Sequence, residues 1–231
     1  MMYGLFDPTY ILVLIGAIIC MVASAKVNST YKKYSRVRSA SGLTGAQAAE
    51  QVLRNAGIYD VRIEHISGEL TDHYDPRDKV LRLSDSTYAS PSVAAIGVAA
   101  HEAGHAVQHE TGYLPLKIRS ALVPAANIGS RLGIPIILLG VILGLNGTLV
   151  QIGIWVFALS VLFQLVTLPV EFNASGRAMD MLERYGILRT DEMGACKKVL
   201  SAAAMTYVAA AASSILQLLR LVLLFGNRDR D

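Results

Sequence analysis

The sequence predicts a mainly α-helical membrane protein with about four transmembrane helices and a small α+β region on the cytoplasmic side. Of its 231 residues, 53% are hydrophobic and 17% are charged, whereas about 25% are charged in ordinary soluble domains. Residues 132–170 form an uncharged run about twice as long as one membrane span requires. The apolar runs alternate with segments that differ strongly in lysine and arginine content, which indicates an orientation in the membrane.

The first and last apolar runs predict one transmembrane helix each. Residues 8–25 carry no charge and form an N-terminal anchor over 1–25. The tripeptide at 23–25 imitates a signal-peptide cleavage site, but the basic residues follow the apolar stretch instead of preceding it, which favours an uncleaved anchor. The alanine-rich run 199–219 predicts the last helix, which with its tail makes up 199–231.

The apolar segment 118–170 predicts a hairpin of two membrane helices. The turn dipeptide Asn146-Gly147 divides it, so that one helix ends near Leu145 and the other covers 148–169. The first of these helices is long enough to span a bilayer only if it begins before Arg131. The long arginine side chain could then extend to the membrane interface.

Basic residues predict which segments face the cytoplasm. Segment 26–117 contains 11 lysines and arginines and segment 171–198 contains five, whereas the hairpin turn contains none. By the positive-inside rule both basic segments are cytoplasmic and both termini lie outside, as in a multi-pass plasma-membrane protein. The net charge of +3 and the lack of a dense basic stripe argue against nucleic acid as a partner. The cysteines Cys20 and Cys196 have no metal-site spacing and predict two inert thiols.

Segment 26–117 contains the signals of a soluble α+β region. Thr44 and Gln47 predict a capping box at the start of a helix that ends at Gly57. Strand-like patterns follow between residues 60 and 84. Ser90 and Pro91 then predict the N-cap and first residue of a helix of about 20 residues.

This last helix carries the motif HEAGH at residues 101–105. His101 and His105 are separated by about 6 Å of rise and 40° of rotation, so both can bind one ion. Glu102 points about 100° away from His101 and is placed to act on water rather than to bind the metal. The composition gives roughly 0.004 chance matches to this motif, which favours a zinc site over two surface histidines beside an acid. His109 lies about 12 Å along the helix from His101, too far to share the ion.

A catalytic zinc ion needs a third protein ligand. Glu171 ends the uncharged run at the predicted cytoplasmic end of its span, on the same side as HEAGH. A divalent cation would offset the cost of a carboxylate at that depth. We expect segment 171–198 to form a cytoplasmic helix that carries this third ligand. The competing carboxylates are Asp180 and Glu183, farther along that helix.

HEAGH, the later VEFNAS and the earlier DHYDPR with LRLS together resemble the YugP-type neutral zinc membrane metallopeptidases. The resemblance covers nearly the whole chain and implies a bacterial membrane protease with a zincin-like catalytic region and one zinc ion per chain. The order of HExxH and a later glutamate is also similar to gluzincins such as the HtpX heat-shock proteases. By this resemblance His101, His105 and Glu171 bind zinc and Glu102 is the base, while Ser175 stands where the broader relatives have aspartate.

The implied activity is zinc-dependent hydrolysis of peptide bonds at the membrane surface, with a membrane-associated or misfolded protein as substrate and the lipid bilayer as surroundings. Arg177 and His73 are candidates for stabilising the oxyanion in the transition state. Val80–Ser84 is either an edge strand that pairs with the substrate or an interior strand. The alternative functions are a metal transporter and a zinc-binding scaffold without catalysis. The run 91–100 before His101 is too short to span a membrane, which argues against a transporter.

Overall fold

The structure is a computed structural model and describes residues 7–144 and 147–226. The protein is a mainly α-helical membrane protein with a small three-stranded sheet, as predicted. The elements, in chain order, are α1 (Tyr10–Tyr34), α2 (Gly45–Asn55), β1 (Arg62–Ile66), β2 (His73–Asp75), β3 (Val80–Ser84), α3 (Asp85–Tyr88), α4 (Val93–Glu110), α5 (Leu114–Ile142), α6 (Gly147–Arg184) and α7 (Thr190–Phe225).

Within the described ranges, four helices are long and apolar enough to cross a membrane, namely α1, α5, α6 and α7. This number confirms the sequence prediction. Helix α5 begins at Leu114, well before Arg131, so the first helix of the hairpin has the length that a span requires. The predicted turn residue Asn146 and the predicted helix end at Leu145 lie outside the described residues.

The chain divides into two compact units. One contains the described residues up to Ser24, Ile118–Leu168 and those from Thr206 onward. Its helices carry an apolar cluster that includes Ile137, Ile154 and Phe157. The other unit contains Ala25–Lys117 and Pro169–Met205. This second unit holds HEAGH, the whole sheet and Glu171, and is called the site unit below.

Helix α2 begins and ends where its sequence predicts. Thr44 accepts a hydrogen bond from the backbone N–H of Gln47, and the Gln47 side chain accepts one from the backbone N–H of Thr44, which completes the capping box. Gly57 follows the helix with a φ of +76°, a conformation that glycine adopts without strain. The apolar face of α2 joins the buried core of the site unit. Other members of that core come from the sheet and from α4, α6 and α7, among them Leu81, Leu83, Ile96, Leu182 and Leu200.

The sheet has the strand order β1-β3-β2. Strand β3 pairs parallel with β1 and antiparallel with β2. Val80–Ser84 is therefore the interior strand, and its interpretation as an edge strand that pairs with substrate is wrong. The burial of Val80, Leu81 and Leu83 explains this position, because a strand with neighbours on both sides gains most from apolar side chains.

Helix α4 begins two residues later than the sequence predicts. Its N-cap is Ser92, whose hydroxyl accepts from the backbone N–H of Ala95, so the assignment of Ser90 as N-cap is wrong. The residues before the helix pair with an earlier extended segment instead. Ser39 N–H donates to the carbonyl of Pro91, and Val93 N–H donates to the carbonyl of Val37. This pairing keeps the chain extended up to Ser92.

The segment 171–198 does not form a helix of its own. Its first part continues α6 through Pro169 to Arg184, and its last part begins α7 at Thr190. Gly186, with a φ of +63°, lies in the turn between them. Glu171 is consequently part of the same helix as the preceding apolar run.

Candidate metal centre

Helix α4 presents both histidines of HEAGH on one side. The ring centroids of His101 and His105 lie 4.8 Å apart, in an edge-to-face arrangement. One helical turn between the two residues produces this proximity. Glu102, between them in sequence, is half-buried and points to another side of the helix.

Helix α6 brings Glu171 to the two histidines. Its Oε2 lies 3.3 Å from Nε2 of His101 and 3.6 Å from Nε2 of His105. One potential ligand atom from each residue lies within 4.8 Å of the other two, and no other group of this kind occurs in residues 7–144 and 147–226. The Glu171 side chain is 2% exposed, so it is almost completely removed from water.

A glycine allows the two helices to come this close. A Cβ atom on Gly104 would lie 2.7 Å from the backbone oxygen of Ala174 on α6. That distance is shorter than a side-chain carbon tolerates, and backbone atoms cannot easily move away. The third residue between the two histidines therefore has to be glycine for Glu171 to reach them.

The donor set fits a zinc ion in its chemistry, and the spacing of Glu171 from each histidine fits as well. Imidazole nitrogen and carboxylate oxygen bind zinc at about 2.0–2.2 Å in tetrahedral geometry, which places two ligand atoms about 3.3–3.6 Å apart. The distances from Glu171 to His101 and His105 fall in this range. Three such ligands leave one tetrahedral position open, as in catalytic zinc sites.

The hydrogen bonds around His105 determine which of its nitrogens faces Glu171. The Gln108 side-chain nitrogen donates to the backbone carbonyl of Val170 at 2.8 Å, and that oxygen can only accept. The Gln108 oxygen must therefore point to His105, where it lies 2.9 Å from Nδ1 and accepts from an Nδ1–H group. The ring then presents Nε2 to the centre.

A second polar contact continues this chain of hydrogen bonds. Gln108 also donates to Oδ1 of Asn173 at 3.0 Å. The same oxygen accepts from Nε of Arg177 at 2.8 Å. Arg177 in turn lies over the ring of Tyr113, with its guanidinium carbon 5.8 Å from the ring centroid. The orientation of His105 is thus held by a network that extends along α6.

His101 contacts Ser175 in an equivalent way. Its Nδ1 lies 3.1 Å from the hydroxyl oxygen of Ser175, one turn after Glu171 on α6. A hydroxyl can accept from Nδ1–H and so leave Nε2 directed at Glu171. A serine at this position adds no negative charge to the cluster, whereas an aspartate would.

The charges of the site raise the pKa of His105. Burial by itself lowers the pKa of this imidazole, but the hydrogen bond to Glu171 and the negative charges of Glu102 and Glu171 outweigh it. A cation is therefore stabilised at this position. A metal ion would take the place of the proton, because a ligating histidine nitrogen must be deprotonated.

The remaining candidates from the sequence lie outside this cluster. His73 is on β2, with Nδ1 2.9 Å from the backbone oxygen of Thr71. His109 contacts Tyr74 instead, with the Tyr74 hydroxyl oxygen 2.9 Å from Nδ1 of His109. Burial raises the pKa of Tyr74 to about 12, so this hydroxyl stays neutral. Asp180 and Glu183 do not belong to the cluster that Glu171 completes.

Two comparisons with known proteins agree with this geometry. The model of the family described as "putative neutral zinc metallopeptidase" matches residues 9–226, which is nearly the whole chain. The chain belongs to this family. It is also 47% identical over 210 residues to a protein of Bacillus subtilis (strain 168) described as "Putative membrane protease YugP", covering 90% of this chain and 93% of that protein. No solved structure matches the chain.

This member of the family has two polar residues near its histidines that the sequence analysis missed, Gln108 and Asn173. Gln108 lies three residues after His105, so helical spacing alone places it beside that ring. Its complete burial distinguishes it from an ordinary surface glutamine. The position of Asn173, two residues after Glu171, gave no comparable signal in the sequence.

Proposed function

We propose that the protein is a membrane-embedded zinc metalloprotease that hydrolyses peptide bonds of membrane-associated or misfolded proteins at the cytoplasmic surface of the plasma membrane. The observation that carries this proposal is the convergence of His101, His105 and Glu171, with ligand atoms within 4.8 Å of one another. Glu102 adjoins this cluster on α4. Family membership and the membrane-protease relative support the same activity.

His101, His105 and Glu171 would hold one zinc ion per chain. When bound there, zinc would polarise a substrate carbonyl and lower the pKa of a water molecule toward about 7. Ser175 and Gln108 keep the two imidazole rings directed at the ion by accepting from their Nδ1–H groups.

Glu102 would act as general base and then as general acid. Its position next to His101, about 100° around the helix, keeps its carboxylate beside the ligand cluster rather than within it. It accepts a proton from the attacking water and passes that proton to the leaving amine as the peptide bond breaks. A structural zinc site would have no use for this carboxylate.

The developing oxyanion would need a further hydrogen-bond donor from the protein. Arg177 and His73 are the candidates that the sequence offers. Arg177 lies on α6 six residues after Glu171, and its Nε donates to Oδ1 of Asn173. His73 lies on β2 and is exposed. The variants Arg177→Lys and His73→Gln would separate these two roles through kcat.

The proposed location rests on the distribution of basic residues. The helical segment after residue 25 contains Lys26, Lys32 and Lys33, and Arg36 and Arg38 follow it closely. Such a cluster next to an apolar helix favours the cytoplasmic side of a plasma membrane. The similarity to a Bacillus subtilis protein supports a bacterial setting.

The decisive experiment compares the wild type with Glu102→Gln on a mixture of solubilised membrane proteins, with the ends of the products mapped. We expect cleavage by the wild type only, at a rate at least about 10²-fold above that of the variant. Equal cleavage by both would refute the proposal. Zinc flux into proteoliposomes that contain Glu102→Gln would indicate a metal transporter instead.

A further inference from the structure

A groove lined by lysines lies between α1 and α7 in the site unit. Its volume is about 890 Å³. Four lysines line this basic groove: Lys26, Lys33, Lys197 and Lys198. Hydroxyl groups of Ser29, Thr30 and Ser201 lie among them, and none of the lining residues is acidic. The groove therefore offers ammonium and hydroxyl donors and no competing carboxylate.

The positive charge of the basic groove is not neutralised within the described part of the chain. The ion pairs among the described residues involve cations outside the groove, such as Arg54, Lys79 and Arg82. Lys33 lies 5.4 Å from the ring centroid of Tyr34, a contact that keeps its charge. All four lysines are exposed. Four like charges around one cavity repel each other, and a bound anion would relieve that repulsion.

The lysines lie where the polar and apolar parts of two candidate membrane helices meet. Lys26 directly follows the uncharged run 8–25 on α1. Lys197 and Lys198 directly precede the uncharged run 199–219 on α7. Residues at such boundaries lie at the depth of the lipid headgroups.

An apolar groove adjoins the basic groove along one row of α7. Its volume is about 370 Å³, and Phe172, Met179 and Leu200 are among its lining residues. The two grooves share Lys197, Ser201 and Met205, which are spaced four residues apart and so form one row on the helix surface. Along this row the side chains change from charged to apolar.

We propose that these two grooves together bind an anionic phospholipid. The phosphate of the headgroup occupies the basic groove, and an acyl chain lies in the apolar groove. Lysines near a membrane surface attract anionic lipids, and basic pockets between membrane helices bind their headgroups. The apolar groove distinguishes this ligand from free phosphate, which has the same charged chemistry but no apolar part. The proposal is independent of the proteolytic activity.

The test measures binding of phosphatidylglycerol and phosphatidylcholine to the full chain in a non-ionic detergent, by native mass spectrometry. The groove variant replaces three lysines: Lys33→Gln, Lys197→Gln and Lys198→Gln. The matched control removes three positive charges nearby: Lys32→Gln, Arg36→Gln and Arg38→Gln. None of these three control residues lines the groove. We expect phosphatidylglycerol to bind the wild type and the control, and the groove variant to bind it about 100-fold more weakly.

A second variant tests the apolar groove. A Cβ atom on Gly176, which lines this groove, would meet no atom within 4 Å. Gly176→Leu therefore adds a bulky side chain to the groove lining at a position with room for its Cβ atom. We expect Gly176→Leu to weaken phosphatidylglycerol binding at least tenfold, and inorganic phosphate at equal concentration not to displace the lipid. The thermal unfolding midpoint of each variant without lipid confirms that it is folded.

Three results would overturn the proposal. Equal binding of phosphatidylcholine would show that charge does not select the lipid. Equal losses in the groove variant and the control would show general electrostatic attraction in place of a site. Displacement by inorganic phosphate together with unchanged binding in Gly176→Leu would show a site for free anions.

Discussion

Gln108 fixes the imidazole ring of His105 from within the same helix, with its side-chain oxygen 2.9 Å from Nδ1. The Gln108 side chain is completely buried, and its nitrogen donates to the backbone carbonyl of Val170 and to Oδ1 of Asn173, both on α6. The glutamine therefore has no freedom to rotate without losing a buried hydrogen bond. One side chain both orients a proposed ligand and joins the two helices that carry the site.

The first prediction concerns this glutamine. Gln108→Leu keeps the volume of the side chain but removes the acceptor for His105, so zinc affinity should fall about 10–100-fold. Competition with a zinc chelator measures the affinity. Gln108→Glu is the control: it keeps an acceptor for His105 and should retain more affinity than Gln108→Leu. Equal affinity in the wild type and both variants would contradict the positioning role.

The second prediction separates the proposed ligand from the proposed base. Glu171→Ala leaves two histidines, one ligand short of a catalytic site, and should lose zinc and peptidase activity together. Glu102→Gln should keep about one zinc ion per chain and lose activity alone. Zinc content after chelator-free purification, read beside the peptidase rate, measures both properties.

The controls for Glu171 are the two carboxylates farther along α6. Asp180→Ala and Glu183→Ala should keep both zinc and activity, because neither residue belongs to the cluster. Normal zinc content in Glu171→Ala, or zinc loss in either control, would mean that the third ligand has been assigned to the wrong residue.

The third prediction concerns the close approach of the helices. Gly104→Ala places a Cβ atom 2.7 Å from the backbone oxygen of Ala174 and should destabilise the protein by about 1–3 kcal/mol. Gly176→Ala is the matched control on α6, where a Cβ atom meets no neighbour within 4 Å. Because alanine favours helices, the control should be neutral or slightly stabilising. Denaturant unfolding in detergent compares the two variants, and equal effects would contradict the steric argument.

The fourth prediction is a pH dependence in the site unit. The backbone N–H of Gly68 donates to the carboxylate of Asp85, and this hydrogen bond is the main reason that the pKa of Asp85 is lowered below the ordinary 3.8. A hydrogen bond from the His65 side chain lowers this pKa further. A carboxylate with a lowered folded-state pKa stabilises the fold above the unfolded pKa, and this stabilisation disappears as the pH falls through the folded value. Asp85→Asn should therefore lower the unfolding midpoint at neutral pH.

The difference between wild type and Asp85→Asn should shrink as the pH falls below about 3.8. Glu69→Gln also removes one negative charge, but from an exposed side chain, and is the control for the overall loss of charge. A difference that stays constant down to acidic pH would show that the charge of Asp85 is not the cause.

The fifth prediction tests the proposed orientation. In a background without Cys20 and Cys196, a single cysteine replacing Ala40 should resist membrane-impermeant thiol reagents applied to intact cells. One replacing Gly147 should react. Both single-cysteine proteins should react after the cells are permeabilised, which is the control for access. The reverse pattern in intact cells would place the candidate metal centre outside.

Local spacing accounts for the parts of the molecule that the sequence predicts correctly. The capping box of Thr44 and Gln47 and the helix with HEAGH depend on residues within one or two turns. The lengths of the apolar runs predict four candidate spans in the same way. The convergence of Glu171 with the histidines could be expected from the cost of burying a carboxylate, although its role as a ligand stays a prediction.

Pairing between distant segments accounts for what the sequence does not reveal. The true N-cap of α4 is Ser92 because residues 37–39 hold the chain extended up to that point. The interior position of β3 depends on its pairing with β1 on one side and β2 on the other, and the local pattern of Val80–Ser84 does not specify these partners. The contact between Gln108 and Asn173 depends on how α4 docks on α6, which no spacing within either helix determines.

The hydrogen bond between Gln108 and Asn173 joins residues that are 65 positions apart in the chain. The whole of α5 lies between them in sequence and is synthesised after Gln108 and before Asn173. During synthesis, a chain that ends before α6 has both histidines of HEAGH but not Glu171, and closing so long a loop takes place after the local helices have formed. The centre is thus completed only in a chain that has docked α4 against α6. Under the proposed activity, a nascent or misassembled copy would lack the completed centre, so docking of α4 against α6 would restrict the proposed hydrolysis to fully folded molecules.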